Sequence, residues 1–190
     1  MLDASTVKTV PNVLTREQCA AIIANADNFE KDVLKMDVFE QSKFFDRKTL
    51  DRNTKERSLD ETYKIGRKVE QSPLDEPVFP EWDGNPVYRC KVMKYETGDY
   101  LNEHYDAKWM CLSNYWVPDT NKVSESLVSI ALNDDYEGGE FTVEGEIIPQ
   151  EVGAAIQVPC NGLDRDKSAK HGVRRVTSGT RYALVFWNFA

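Results

Sequence analysis

The 190-residue chain is 41% hydrophobic and 29% charged with a formal net charge of −8, and a chain of this length buries about 70% of the surface its unfolded form exposes, so one globular domain is expected. The acidic balance argues against a nucleic-acid partner, whose binding draws most of its affinity from cationic contacts. No apolar run approaches about 18 residues, and the N-terminus lacks the basic-then-apolar pattern of a signal peptide, so a membrane span is excluded and a cytoplasmic location is expected.

Residues 1–12 read as a leading strand or arm ending at Pro11. Thr15-x-x-Gln18 then has capping-box form. Cys19, Ile22, Ile23 and Ala26 recur at helical spacing, which predicts a helix over about 15–28 that packs on a sheet. Residues 29–57 mix charge with Phe39, Phe44 and Phe45 without a clean period and read as short strands and loops. A second capping box, Ser58-x-x-Glu61, predicts a helix reaching about Gln71, where Ser72-Pro73 stops it. Pro73 to Pro86 reads as a connecting loop, with Val78, Phe79 and Trp82 as its apolar anchors.

From Val87 onward the pattern turns to strands: Tyr88–Tyr95, Leu127–Asn133, Glu140–Val143, Ala154–Val158 and the long aromatic Arg181–Phe189. Short strands separated by Asp, Gly and Pro are the pattern of a double-sheet jelly roll. The turn at Glu137-Gly138-Gly139 calls for glycine's access to positive φ or a tight reversal. The run 107–125, with Lys108, Trp109, Tyr115 and Trp116, is a long connection that serves either as a lid or as cover for the barrel edge. Cys19, Cys90, Cys111 and Cys160 form no Cys-x-x-Cys pair and read as small buried residues. Lys167, Lys170, Arg174 and Arg175 surround His171 and read as a solvated rim.

The chain has two histidines. In an extended strand the spacing of His104 and Asp106 puts both on one face, and a second strand would bring His171 to the same place. Two imidazoles and one carboxylate on one face of a metal, with the other positions open, form the facial triad of non-haem Fe(II) oxygenases. Unrelated surface or core histidines are the alternative. Arg181 opens an apolar strand, and a buried guanidinium needs an anion. That anion is either an acidic side chain or a small-molecule carboxylate held by the planar fork. Trp187 shares the face of Arg181 in an ideal strand and reads as core.

The order Tyr95…His104-Tyr105-Asp106, then Tyr136-Glu137-Gly138-Gly139-Glu140-Phe141, then His171…Arg181 resembles the 2-oxoglutarate and Fe(II)-dependent dioxygenases, specifically their prolyl 4-hydroxylase-like branch, over roughly the C-terminal half. Val10-Pro-Asn-Val-Leu-Thr-Arg-Glu-Gln-Cys19 and Glu56-Arg57-Ser58 resemble the family's entries into its first and second helices. The resemblance implies a mainly β (α+β) fold: a double-stranded β-helix, the cupin-like jelly roll, buttressed by N-terminal helices. It implies one domain over residues 1–190, with helical support over about 13–72 and the jelly-roll core over about 87–190.

It further implies Fe(II) held by His104, Asp106 and His171. Arg181 takes the distal carboxylate of 2-oxoglutarate, aided by Tyr95, with Tyr100 and Thr177 as further cosubstrate contacts. O2 is the oxidant, and ascorbate is a further candidate cofactor. The implied reaction is hydroxylation of a prolyl residue in a peptide or protein, releasing succinate and CO2. Hydroxylation of another free or peptidyl amino acid, or a metal-containing jelly-roll binding module without turnover, are the alternatives. The family's nucleic-acid repair branch carries a second arginine on the last strand, which Arg181-Tyr-Ala-Leu-Val-Phe-Trp187 lacks. A zinc hydrolase would need a general base beside the metal water, for which there is no motif.

Overall fold

The computed structural model describes residues 2–28, 70–73, 78–88, 90–106, 111–113, 120–161 and 163–189. A short 3-10 turn at Ala4–Thr6 leads into β1 (Lys8–Val10), and α1 spans Arg16–Asn28. The capping box closes reciprocally: Gln18 N donates to Thr15 Oγ1 at 3.2 Å and Thr15 N donates to Gln18 Oε1 at 2.8 Å. Two of the donors that a helix start leaves unpartnered are thereby satisfied.

The strands are antiparallel and form two main sheets. The larger contains β1, β2 (Glu70–Pro73), β5 (Cys90–Glu96), β7 (Ser124–Ala131), β11 (Ala155–Pro159) and β13 (Val176–Phe189), in the order β1-β11-β7-β13-β5-β2, with β8 (Tyr136–Gly138) pairing on β13. The smaller runs β10 (Glu146–Ile147), β9 (Phe141–Val143), β12 (His171–Val173) and β6 (Leu101–His104). Strand alternation gives the large sheet two apolar faces. Met93, Tyr95, Ile156, Val158 and Ala183 meet Phe141, Val143 and Val173 of the small sheet, so the two sheets close on a shared core. On the opposite face Val92, Val128, Ile130, Leu184 and Phe186 pack with Cys19, Ile22 and Ile23 of α1. The result is a jelly-roll arrangement with α1 against the outside of the larger sheet.

Two expectations change. Residues 58–69 and 29–57 lie outside the described residues, but the second helix does not reach Gln71, because Glu70–Pro73 pairs with Lys91–Lys94 as the sheet's edge strand. An edge tolerates the proline that ends it, since one side of the strand needs no partner. Within the expected 73–86 loop, β3 (Glu81–Trp82) and β4 (Asn85–Pro86) form a hairpin across Asp83 and Gly84 at φ 50° and 77°. These are the positive values that a type I′ turn requires, and Asp-Gly is its sequence signal. The hairpin exists to seat Trp82 against Phe79 and Phe186 in the outer core.

The main expected strands form within a few residues of their predicted bounds. All four cysteines are buried and free. Of the 107–125 connection, residues 107–110 and 114–119 lie outside the described residues, and Leu112 bridges to Val123. Among the described residues no helix is long and apolar enough to cross a membrane.

Candidate active site

His104 ends β6 and His171 begins β12, and antiparallel pairing places the two directly opposite each other. Their ring centroids are 4.7 Å apart. Asp106 lies two residues along from His104, past the strand end, where the chain turns its carboxylate inward. Its Oδ1 is 3.3 Å from His104 Nε2 and 3.4 Å from His171 Nε2. One ligand atom from each of the three residues lies within 4.8 Å of the others, the spacing of donors around one ion. The side chains of His171 and Asp106 are 4% exposed and that of His104 is 29% exposed, so the cluster opens to solvent on the His104 side.

Each ring is oriented from behind. His104 Nδ1 is 2.8 Å from the Asn102 carbonyl and His171 Nδ1 is 3.4 Å from the Ala169 carbonyl. A carbonyl only accepts, so Nδ1 is the donor; in the neutral ring that leaves the Nε2 lone pair for a metal, whereas a proton on Nε2 lets it donate to Asp106 Oδ1 in the metal-free cluster. This is how metal-binding imidazoles are held in the correct tautomer. Burial alone would raise the Asp106 carboxyl, but His171 and the hydrogen bonds from both imidazoles hold it well below the ordinary carboxylate range. Burial disfavours the His104 imidazolium, yet the hydrogen bond and charge of Asp106 lift it above its usual value.

The other Asp106 oxygen, Oδ2, accepts from Trp187 Nε1 at 2.8 Å and from Cys160 Sγ at 3.3 Å. Neither residue carries a site role in the sequence reading. The alternation of β13 that places Trp187 on the face of Arg181 is the one sequence signal for it, while Cys160 gives none.

Arg181 is 1% exposed on the inner face of β13. It pairs in register with Tyr95 and its guanidinium sits 5.2 Å from the Tyr95 ring centroid. Its Nη2 donates to Gln150 Oε1 at 3.2 Å, Gln150 Nε2 donates in turn to the Ser129 carbonyl at 3.0 Å, and Arg181 Nε is buried without a hydrogen-bond partner. Among the described residues no carboxylate pairs with this arginine. A buried cation with an orphaned donor is costly unless an anion joins it, so the residues fit the carboxylate of a small acid. Gly139 makes room beside it: a Cβ there would meet Arg181 Cδ at 3.1 Å. Burial pushes the Tyr95 phenol up to about 12, opposed by Arg181 and aided by Asp99. Gln150, thirty-one residues away in sequence from Arg181, has no sequence signature.

Tyr100 and Thr177 sit in a groove of about 1040 Å³ that Arg174, Arg175, Glu103 and Glu140 also line. The Arg175 guanidinium lies 4.4 Å from the Tyr100 ring centroid. Neither the three clustered residues nor Arg181 and Tyr95 line that groove.

No protein-family model matches the chain. A PKHD-type hydroxylase of Pseudoalteromonas atlantica is 30% identical over 107 residues, which is 54% of this chain and 44% of that protein. Another, from Delftia acidovorans, is 35% identical over 98 residues, 50% of this chain and 40% of that protein. The chain thus spans less than half the length of these curated relatives. The viral collagen prolyl hydroxylase of Paramecium bursaria Chlorella virus-1, solved with 2-oxoglutarate, superposes with a TM-score of 0.53 at 17% identity, covering 97% of this chain and 95% of that one. An oxidoreductase of the 2OG-Fe(II) oxygenase family from Burkholderia pseudomallei superposes at 0.50 and 16% identity, covering 97% and 84%. At those identities the likeness is one of fold. The sequence relatives are thus named as PKHD-type hydroxylases over part of their length, and the solved oxygenase structures share this chain's fold.

Proposed function

We propose that the chain is a 2-oxoglutarate- and O2-dependent hydroxylase with a non-haem Fe(II) centre at His104, Asp106 and His171, acting on prolyl residues of a peptide or protein and releasing succinate and CO2. The observation that carries this reading is the convergence of the chain's two imidazoles and a buried carboxylate, together with Arg181, a buried cation that lacks an acidic partner among the described residues. Two His and one carboxylate suit Fe(II) and leave positions open for a chelating cosubstrate and dioxygen. When bound, the iron supplies the activation of O2 that the protein's own side chains cannot.

The chain's part is placement. Asn102 and Ala169 aim the imidazoles, and Asp106 contributes charge that offsets the metal's. Arg181 would take the distal carboxylate of 2-oxoglutarate in its fork, with Gln150 steadying the guanidinium and Tyr95 flooring it. Tyr100 and Thr177, lying in the neighbouring groove, are assigned to the approach of the substrate or cosubstrate. We place ascorbate, where it acts, as an auxiliary reductant.

The strand order supports a double-stranded β-helix with α1 outside it, and we take residues 1–190 as one domain. Four free buried thiols fit a reducing compartment such as the cytoplasm. The test is incubation of the chain with Fe(II), 2-oxoglutarate and proline-containing peptides in air. Succinate should form and a peptide should gain the mass of one oxygen, and a chelator should abolish both. Absence of succinate at every iron and cosubstrate concentration would overturn the reading.

A further inference from the structure

Asp106 is gripped on its far side. Its Oδ2 receives the Trp187 indole N–H at 2.8 Å and the Cys160 thiol at 3.3 Å, while Oδ1 alone faces the two imidazoles. Both donors stand on the large sheet: Trp187 on β13, opposite Leu127 of β7, and Cys160 at the residue after β11. Asp106 follows the small sheet's β6. The two hydrogen bonds therefore tie the carboxylate of one sheet to the framework of the other.

The donors are themselves fixed. Cys160 N donates to the Glu125 carbonyl at 2.9 Å, the Cys160 carbonyl accepts from Ser124 Oγ at 2.6 Å, and Cys111 Sγ is 3.6 Å from Cys160 Sγ. Lys91 Nζ stands 5.3 Å from the Trp187 ring centroid. Neither donor is positioned by chance packing alone.

A carboxylate with one oxygen committed to two N–H or S–H donors has only the other left for an ion. If both oxygens were free it could rotate to chelate, filling a coordination position that a cosubstrate or dioxygen needs. Outer partners of this kind typically change metal affinity by about 10- to 100-fold when removed.

We propose that Trp187 and Cys160 are positioning residues for Asp106, holding Oδ2 so that Oδ1 is the single carboxylate donor to the metal. This rests on the metal-centre reading above and extends it to two residues outside the ligand set. A role confined to core filling is the competing account, since both residues also belong to the apolar cluster of Cys111, Leu127 and Phe189. The two accounts differ in what an isosteric loss of the donor does.

The test uses the full chain loaded anaerobically with Co(II), whose visible spectrum reports coordination and whose affinity is read by competition with a chromophoric chelator. Trp187→Phe keeps an aromatic ring and removes the N–H. Cys160→Ala removes the thiol donor, and Cys160→Ser restores a donor at the same place. Trp187→Phe should weaken Co(II) binding by about tenfold or more and change the visible spectrum, and Cys160→Ala should move both in the same direction. Cys160→Ser should return affinity to within about threefold of wild type, because a hydroxyl is at least as good a donor as a thiol. Melting curves of the metal-free variants identify any that do not fold. If Trp187→Phe is among them, the Cys160→Ala and Cys160→Ser pair decides.

Wild-type affinity and an unchanged spectrum in the folded donor-loss variants would overturn the proposal while leaving the metal centre standing. A wild-type chain that took up no Co(II) would instead overturn the centre, and this assignment with it.

Discussion

At Arg181 the account rests on a single buried side chain with no carboxylate partner among the described residues. Because Gln150 is neutral, it steadies the guanidinium without neutralising it. Arg181→Ala should therefore raise the dissociation constant for 2-oxoglutarate by about 100-fold, the worth of a bidentate charge-assisted pair, while Co(II) affinity stays near wild type. Equal cosubstrate affinity in the variant, read by calorimetry, would contradict the assignment.

The Asp106 cluster predicts a pH signature in the metal-free protein. His104 is raised, so its ion pair contributes fully below its unfolded pKa of about 6.5 and fades as pH rises through the higher folded value. Asp106 is lowered, so its contribution is present above about 3.9 and is lost as pH falls through the depressed folded value. The cluster should thus stabilise the metal-free chain most between about pH 4 and 6.5. Melting temperatures measured against pH in the presence of a chelator should peak more sharply for wild type than for Asp106→Asn. Parallel profiles would remove the ion pair from the account.

The candidate residues His104, Asp106, His171 and Arg181 stand out in the sequence because each is a chemically distinctive type and the chain holds few histidines, and the fold gathers the first three. Gln150, Trp187 and Cys160 do not, because their roles arise from where distant strands place ordinary residues.

At the level of elements, the pairing of β6 with β12 makes the site, and Gly172 permits that pairing. A Cβ at Gly172 would lie 2.6 Å from the Leu101 carbonyl oxygen and 2.9 Å from Glu103 N, atoms of the strand that carries His104. Backbone cannot retreat as a flexible side chain can, so Gly172→Ala must push the two histidine strands apart. Metal affinity should fall by about tenfold or more in a protein that still melts cooperatively; unchanged affinity would mean that the strands tolerate the methyl.

The long strands were visible as apolar runs, and the capping box marked α1. The strands β6 and β12 entered only through the histidines they carry, and β8 and β10 were not visible, since each spans three residues or fewer and has no period long enough to read. The end of the second predicted helix failed for a related reason: Glu70–Pro73 is strand through pairing with β5, and local propensity carries no trace of that partner.

At the scale of the molecule, β13 links the outer core and the inter-sheet core to the site. Its Leu184 and Phe186 fill the outer core under α1, while Ala183 and Arg181 face inward. Phe186 is fully buried against Phe79 and Trp82. Phe186→Ala should cost about 3–5 kcal/mol by denaturant unfolding, with metal affinity retained in whatever fraction stays folded. A loss below about 1 kcal/mol would mean that the outer core is not packed as described. The jelly-roll class followed from the run of short strands. Its sheet order did not, because antiparallel partners far apart in sequence are chosen by packing.

The most direct measurement is a crystal structure of the chain grown anaerobically with Mn(II) and 2-oxoglutarate, with the ion located by anomalous scattering. The account predicts one peak about 2 Å from His104 Nε2, Asp106 Oδ1 and His171 Nε2, with the distal carboxylate of 2-oxoglutarate on the Arg181 guanidinium. An ion bound away from the two imidazoles, or a cosubstrate that leaves Arg181 untouched, would contradict it.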